Sequence, residues 1–264
     1  MSDLPLRGRC VMVTEASASG RVASALRRRG AEVWSLPTVE IVPPDDWDDV
    51  DAALADWARY DWAIFTSGNA VKAVTGRLKA LGLPDAQPPP RIAVVGSATA
   101  RLVESLGWRA SVRPAERSAE GLVATIMERE PLDGKWVLFP KGNIAREVVP
   151  ESLRRAGATV RETVVYRTVP AKTDAEAVRR RLRSGGAAAI TFTSPSAAEF
   201  FVDALGRRIW VELPDSLVVA SIGPTTSGKL RSLGRPPDVE ATEPSAEALA
   251  EAVASALGRT GETG

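Results

Sequence analysis

The sequence repeats itself at a constant spacing, and this repeat is the strongest constraint on the fold. Residues 65–70 (FTSGNA) align with residues 192–197 (FTSPSA), 127 positions further along the chain. Other pairs of segments keep the same spacing: 30–33 with 157–160, 95–99 with 222–226, 106–107 with 233–234, and 118–120 with 245–247. One offset shared by several separate segments indicates an ancient duplication. The 264 residues are enough for two related domains of about 120 to 130 residues each.

Short apolar runs alternate with helical stretches in both halves. Runs that are apolar at nearly every position are typical of parallel strands covered on both faces. We predict strands at 11–14, 63–66, 92–95, 136–139, 160–166, 188–193 and 218–222. We predict helices at 21–29, 70–80, 98–106, 145–156, 197–205 and 226–233, most of which end at or near a glycine, as helix C-caps do. The alternation predicts an α/β fold with doubly wound parallel sheets.

Small or hydroxyl-bearing turns follow the predicted strands and open the helices after them. In open α/β sheets such turns collect at the carboxyl ends of the strands, where ligands bind, and helix starts favour anions. We therefore predict an anionic ligand large enough to touch both halves, although the same residue types also serve as ordinary helix caps. The predicted binding residues are Ser67, Gly68, Asn69, Gly96, Ser97, Thr99, Gly142, Asn143, Arg146, Ser194, Pro195, Ser196, Gly223, Thr225 and Thr226.

One of these turns nearly matches the nucleotide-binding P-loop pattern. Residues 223–230 read GPTTSGKL, but Leu230 stands where the pattern needs a hydroxyl for Mg²⁺. The related turn at residues 96–102 has no Gly-Lys pair, so the duplicated feature is the turn itself. Nucleotide hydrolysis is therefore a disfavoured alternative.

The composition excludes several kinds of chemistry. The chain has no histidine and a single cysteine, Cys10, so Ser-His-Asp triads, Cys-His pairs, the usual zinc sites and an internal disulfide are excluded. Cys10 lies in an apolar run and is predicted to be a core residue. The formal net charge of +1 gives no basis for binding nucleic acid or a membrane surface. Residues 1–8 do not resemble a signal peptide, and no window reaches the ~18 apolar residues of a membrane span, so a cytoplasmic location is expected.

Several of these segments together resemble one known family. Residues 138–143 (LFPKGN), 164–168 (VVYRT), 94–99 (VVGSAT), 192–196 (FTSPS) and 222–226 (IGPTT) look like the uroporphyrinogen-III synthase family, and the likeness runs from about residue 8 to 257. The resemblance implies two similar doubly wound parallel-sheet domains joined by two extended crossing linkers. Residues 1–38 with 171–264 would form the first domain, residues 39–170 the second, and the linkers would lie near 37–44 and 167–173. The duplicated halves would have exchanged their first βα units.

The resemblance also implies a reaction and a catalytic residue. The substrate would be hydroxymethylbilane, which loses water, closes into a macrocycle and inverts its ring D to give uroporphyrinogen III, with no metal or cofactor. Tyr166 matches the family's important tyrosine and is predicted to donate a hydrogen bond or proton to the departing hydroxyl; the alternative is a structural tyrosine. At one position the chain departs from the family: Glu15 stands where many members carry arginine, which weakens the expected anion contact there, and Arg21 can partly replace it.

Two other classes of protein remain open at this point. A non-catalytic two-domain binding or regulatory protein of the same fold, specific for an anionic small molecule, would have the same sequence pattern. An exported solute-binding protein would also fit two halves, but the expected cytoplasmic location disfavours it. For the enzyme we expect a monomer, with a transient contact to hydroxymethylbilane synthase and no nucleic-acid or membrane partner.

Overall fold

The computed structural model describes residues 4–15, 20–114, 119–145 and 147–259. By their contacts these residues divide into two compact units. Unit 1 comprises the described residues of Met1–Glu40 and Val169–Gly264, and unit 2 comprises those of Ile41–Thr168. No helix in these four stretches has the length and apolar character needed to cross a membrane.

Strands and helices alternate along most of the chain. The strands, in chain order, are β1 (Cys10–Val13), β2 (Glu32–Ser35), β3 (Val39–Val42), β4 (Trp62–Phe65), β5 (Arg91–Val94), β6 (Ala110–Val112), β7 (Trp136–Gly142), β8 (Thr159–Pro170), β9 (Ala189–Phe192), β10 (Val218–Ser221) and β11 (Val239–Glu240). The α-helices are α1 (Arg21–Arg28), α2 (Asp48–Ala55), α3 (Gly68–Ala80), α4 (Ser97–Ser105), α5 (Ala119–Arg129), α6 (Val148–Arg155), α7 (Ala175–Arg183), α8 (Pro195–Leu205), α9 (Arg207–Val211), α10 (Pro224–Ser232) and α11 (Ala246–Arg259). A short 3₁₀ helix covers Trp57–Arg59.

Each unit contains one sheet built around parallel strands. The sheet of unit 1 has the order β11-β10-β9-β1-β2, and its neighbouring strands all run parallel. The second sheet has the order β3-β8-β7-β4-β5-β6, with parallel pairing from β8 through to β6. The predicted α/β class with parallel sheets is thus confirmed.

Both faces of each sheet are covered by helices. In β1, Val11 and Val13 pack into a core with α1 and α11, whereas Met12 points to the other face and packs with α7, α8 and α10. In β4, Ala63 and Phe65 face a core with α2, α3 and α4, while Trp62 and Ile64 face α5 and α6. This covering on both sides explains why interior strands such as β1, β4 and β9 have almost no polar positions.

The duplication is preserved in the three-dimensional elements. Adding 127 to the bounds of α1 gives those of α6, and adding it to the bounds of α4 gives those of α10. The order β11-β10-β9-β1-β2 corresponds at this offset to β6-β5-β4-β7-β8. In each sheet, two of these strands come from one repeat and lie beside three strands from the other repeat. This arrangement is the exchange of first βα units that the resemblance implies. The chain passes between the units within β3 and again within β8.

Several local predictions were wrong. The strands β2, β3, β6 and β11 were not predicted, and β8 runs on to Pro170 instead of ending at Tyr166. The helix predicted at 145–156 begins only at Val148, because Pro150 has no N–H and is tolerated only in a first turn. Cys10 is half-buried at the start of β1 rather than in the core, and its Sγ lies 3.5 Å from a guanidinium nitrogen of Arg181.

Candidate functional site

The loops that follow β4 and β5 lie side by side in unit 2. Phe65 and Val94, the last residues of these strands, are in register, and the Val95 N–H donates to the Phe65 carbonyl at 3.2 Å. Helices α3 and α4 begin within three residues of these strand ends. The predicted residues Ser67, Gly68 and Asn69 and the predicted residues Gly96, Ser97 and Thr99 therefore lie at the same edge of the sheet.

Ser67 joins a helix cap to the predicted catalytic residue. It is the N-cap of α3, and its Oγ accepts a hydrogen bond of 3.2 Å from the Ala70 N–H. The same Oγ lies 3.1 Å from the hydroxyl oxygen of Tyr166, on β8. The sequence predicted both residues for the site, and the structure brings them into direct contact.

Gly142 lies directly beneath the Tyr166 ring. The two residues are paired across β7 and β8, at a point where the register of these strands shifts. A Cβ atom on residue 142 would lie 2.7 Å from Cζ, 2.8 Å from Cε2 and 2.9 Å from the hydroxyl oxygen of Tyr166. Glycine is needed here because of this close approach, since the φ angle of Gly142 is not positive.

Asn143 makes hydrogen bonds to the end of β8, next to Tyr166. Its backbone N–H donates to the Tyr166 carbonyl at 3.3 Å. Its side-chain Oδ1 accepts from the Thr168 N–H at 2.8 Å, and its Nδ2 donates to the Thr168 carbonyl at 3.4 Å. Because the side chain pairs with backbone in this way, Asn143 holds the strand that carries Tyr166. We call Ser67, Gly142, Asn143 and Tyr166 the tyrosine site.

A charged network that the sequence did not reveal lies beside Gly142. Lys141 Nζ lies 2.7 Å from Glu147 Oε1 and 2.5 Å from Glu162 Oε2, and Glu162 also accepts from Arg154 at 2.5 Å. Burial opposes the charge of Lys141, but the hydrogen bonds that it donates to Glu147 and Glu162 outweigh this effect and raise the pKa of the ammonium group. Burial likewise opposes the charge of Glu162, and Lys141 and Arg154 overcome it and lower the pKa of the carboxyl group. No spacing in the sequence signals this network.

The starts of α4 and α10, which follow β5 and β10, have no side-chain cap. Gly96 precedes α4 with a φ of 82°, in the left-handed region that glycine favours, and Gly223 precedes α10. Neither helix start is capped by the side chain of its N-cap residue, in contrast to α3. Free N–H groups at a helix start, together with the helix dipole, are suited to a carboxylate or another anion.

The predicted residues of unit 1 lie in the equivalent loops. Ser194 caps α8 by accepting from the Ala197 N–H at 3.1 Å, and its Oγ lies 3.1 Å from Ser196 Oγ. Pro195 is the first residue of α8. Thr225 is exposed in the first turn of α10, at the end of the sheet where β9 and β10 finish.

Not every predicted binding residue presents surface to a ligand. Thr99 and Thr226, which are equivalent in the repeat, are only 6% and 3% exposed and contribute little to a binding surface. Arg146 lies outside the described residues. Gly142 and Gly223 are also buried, and the Gly223 N–H donates to Ser221 Oγ at 3.2 Å. The other predicted residues among those described are at helix starts or in the tyrosine site.

A carboxylate of the chain itself occupies the start of α1. Glu15 Oε1 and Oε2 accept long hydrogen bonds of 3.4 Å from the N–H groups of Val22 and Ala23. Glu15 thus supplies from within the chain the negative charge that a helix start favours. The sequence marked Glu15 as unusual but did not predict this contact.

The near-match to a P-loop is helical rather than a phosphate-binding loop. Helix α10 begins at Pro224 and includes Gly228, Lys229 and Leu230. Lys229 Nζ pairs with Glu199 Oε1 at 3.0 Å, and Leu230 is fully buried. This geometry removes the lysine from any phosphate cradle at Gly223.

Comparison with known proteins gives one consistent result. The family model described as uroporphyrinogen-III synthase HemD matches residues 20–251. A uroporphyrinogen-III synthase of Synechococcus elongatus is 34% identical over 96% of this chain and 97% of its own length. One from Chlorobaculum parvum is 30% identical over 88% of this chain and 92% of its own length.

Solved structures agree on the fold. A uroporphyrinogen III synthase of Thermus thermophilus superposes with a TM-score of 0.69 at 16% identity, covering 96% of this chain and all of that one. The corresponding protein of Helicobacter pylori gives a TM-score of 0.65 at 21% identity, covering 94% of this chain and 99% of its own. The family match, the two relatives and the shared fold all lead to one conclusion: the chain belongs to the uroporphyrinogen-III synthase family.

Proposed function

We propose that the chain cyclises hydroxymethylbilane, with loss of water and inversion of ring D, to give uroporphyrinogen III for tetrapyrrole biosynthesis. The observation that carries this proposal is the match, over 96% of the chain at 34% identity, to a protein named as this synthase. The reaction makes the chain a lyase that removes water. Its substrate is a small molecule.

Substrate binding is proposed to rest on the loops at the carboxyl ends of the strands in each unit. Hydroxymethylbilane carries several acetate and propionate groups, and the uncapped starts of α4 and α10 offer N–H groups for such carboxylates. Each charge-assisted hydrogen bond contributes about 1.5–3 kcal/mol. The residues proposed for these contacts are Gly96, Ser97 and Thr225, together with Ser67, Gly68, Asn69, Ser194, Pro195 and Ser196, while Gly223 is proposed to shape the start of α10.

Tyr166 is proposed to assist departure of the hydroxyl group. Its phenol would donate a hydrogen bond or proton to that oxygen as the carbon–oxygen bond breaks, so that the group leaves as water. The electron-rich pyrroles of the substrate supply the remaining driving force. General acid catalysis of this kind contributes about 10²–10⁴-fold, and correct placement of the two reacting ends is worth about 7–11 kcal/mol in favourable cases.

The product isomer tests the proposal, because free hydroxymethylbilane closes without enzyme to the uninverted type I isomer. The purified chain is mixed with freshly generated hydroxymethylbilane, and the products are oxidised and separated by chromatography. We expect mostly the type III isomer, formed faster than the blank reaction. Type I product alone, at the rate of the blank, would overturn the proposal and favour a binding or regulatory protein of the same fold.

We also propose the finer organisation expected from the family resemblance. The domains would be residues 1–38 with 171–264 and residues 39–170, and the sheet of each unit supports a division close to these bounds. The chain would act as a monomer in transient contact with hydroxymethylbilane synthase. Light scattering of the chain alone tests the monomer, and light scattering after addition of that enzyme tests the contact. A stable dimer of the chain would contradict the proposed monomer.

A further inference from the structure

We propose that Ser67 is a positioning residue that donates its hydroxyl hydrogen to Tyr166 and so leaves the phenol hydrogen free for the ligand. This inference rests on the proposed function, in which Tyr166 acts on the departing hydroxyl. It assigns Ser67 a role beyond carboxylate binding and helix capping.

The 3.1 Å distance allows either oxygen to be the donor, and the partners of Ser67 favour Ser67. A serine hydroxyl has one hydrogen to donate and two lone pairs to accept with. One lone pair of Ser67 accepts from the Ala70 N–H at 3.2 Å, in the cap of α3. Accepting a bond from a backbone N–H polarises the hydroxyl and makes it a better donor. The Tyr166 oxygen, 3.1 Å away, is the group within reach of that hydrogen among the described residues.

The direction decides what the phenol can do. If Ser67 donates, the Tyr166 oxygen accepts and its own hydrogen is free to meet a leaving group. If Tyr166 donates instead, its hydrogen is used within the protein and must be released before it can act on a ligand. Only the first arrangement prepares Tyr166 as a donor before the substrate arrives.

Gly142 and Asn143 make this arrangement a fixed one. The ring of Tyr166 fills the space where a side chain of residue 142 would lie. Asn143 anchors both sides of the tyrosine's strand segment through the Tyr166 carbonyl and the Thr168 backbone. With the ring and the strand both held, the hydroxyl of Tyr166 stays within hydrogen-bonding distance of Ser67.

The duplication provides an internal comparison. Ser194 is the repeat equivalent of Ser67 and makes the same cap contact, to the Ala197 N–H at 3.1 Å. The equivalents of Tyr166 and Gly142 are Val39 and Glu15, 127 positions earlier, so the tyrosine site exists in unit 2 alone. The second partner of Ser194 is Ser196 rather than a tyrosine. Capping therefore explains a serine at both positions, and contact with a phenol is an addition specific to Ser67.

Substitutions at position 67 separate capping from hydrogen donation. Threonine caps a helix and donates, so Ser67→Thr should restore most of the kcat that an acceptor-only residue at this position loses. Ionised aspartate is as good a cap as serine but only accepts hydrogen bonds, so Ser67→Asp should keep the melting temperature and lower kcat at least tenfold. Ser194→Ala, which loses a cap without touching the tyrosine, gives the loss of melting temperature due to capping alone.

A double substitution controls for the new charge. In a Tyr166→Phe background there is no phenol to orient, so Ser67→Asp should lower kcat far less than tenfold, and loss of the carboxylate contact proposed for Ser67 should appear in KM instead. A full tenfold loss in that background would mean that the aspartate acts through its charge, and the inference would be wrong. Wild-type kcat in the single Ser67→Asp variant would also overturn it while leaving the proposed function intact. If the wild-type chain forms no type III isomer, the proposed function fails and this inference fails with it.

Discussion

Replacing Gly142 by alanine should push the Tyr166 ring aside and slow the reaction. The added Cβ would lie 2.7 Å from Cζ of the ring, whereas ordinary van der Waals contact is 3.4–4 Å, so the ring must retreat by roughly 1 Å. The phenol oxygen, with the Cβ at 2.9 Å, must move with it and away from its present place 3.1 Å from Ser67. The alternative is a backbone shift at the point where β7 already changes register with β8.

The expected effects of this substitution on stability and on rate can be estimated. Overpacking a well-packed site costs about 1–3 kcal/mol of stability. A misplacement of about 1 Å in a catalytic group costs up to about 100-fold in rate. We therefore expect Gly142→Ala to lower kcat by one to two orders of magnitude while KM changes less, since the helix starts proposed to bind carboxylates are untouched.

Steady-state formation of the type III isomer and thermal melting measure these effects. Gly76→Ala is the matched control, because this position is inside α3, has no atom within 4 Å of the added Cβ, and should gain about 0.5–1 kcal/mol in stability with unchanged kcat. A Gly142→Ala variant with wild-type kcat would refute the reasoning, since the tyrosine would then not need its present position.

Two further predictions concern Asn143 of the tyrosine site and Glu162 of the charged network beside Gly142. Asn143→Ala removes two hydrogen bonds to the Thr168 backbone and should lower kcat about tenfold and speed amide exchange at residues 166–168; exchange at the wild-type rate would contradict the holding role. Glu162 has a lowered pKa in the folded chain, so its stabilising effect is present above its ordinary pKa of 4.5 and is lost as the pH falls through the lower folded value. Glu162→Gln should therefore melt at a lower temperature than wild type at pH 7, and the difference in melting temperature should narrow as the pH falls below 4.5. A difference that stays the same on acidification would contradict this.

The repeat allowed the architecture to be predicted from the sequence. The strands at the edges of the sheets could not be predicted in this way. Strands such as β4 and β9 lie in the sheet interior, are apolar at nearly every position, and were found within one or two residues. The missed strand β11 has only two residues, and it is a strand because the end of β10 offers backbone partners at Ala220 and Ser221. Such pairing depends on tertiary contacts and leaves no periodicity in the sequence.

The sequence predicted which residues form the site. It did not predict which of these residues contact each other. The turns with glycine and hydroxyl groups were recognisable because helix starts after buried strands favour these residues. The contact between Ser67 and Tyr166 joins residues 99 positions apart and depends on how β8 pairs with β7. Two other contacts likewise form only in the folded chain. Asn143 pairs with the Thr168 backbone, and Glu15 accepts hydrogen bonds at the start of α1.

The rate of type III formation by Tyr166→Phe tests the central claim most directly. The substitution removes a single oxygen, and the ring can keep its packing above Gly142. With enzyme in excess and a single turnover of hydroxymethylbilane, we predict at least a tenfold slower rate than wild type, with an unchanged circular dichroism spectrum. An equal rate would show that the phenol takes no part in the departure of the hydroxyl group, and would contradict the account of this site.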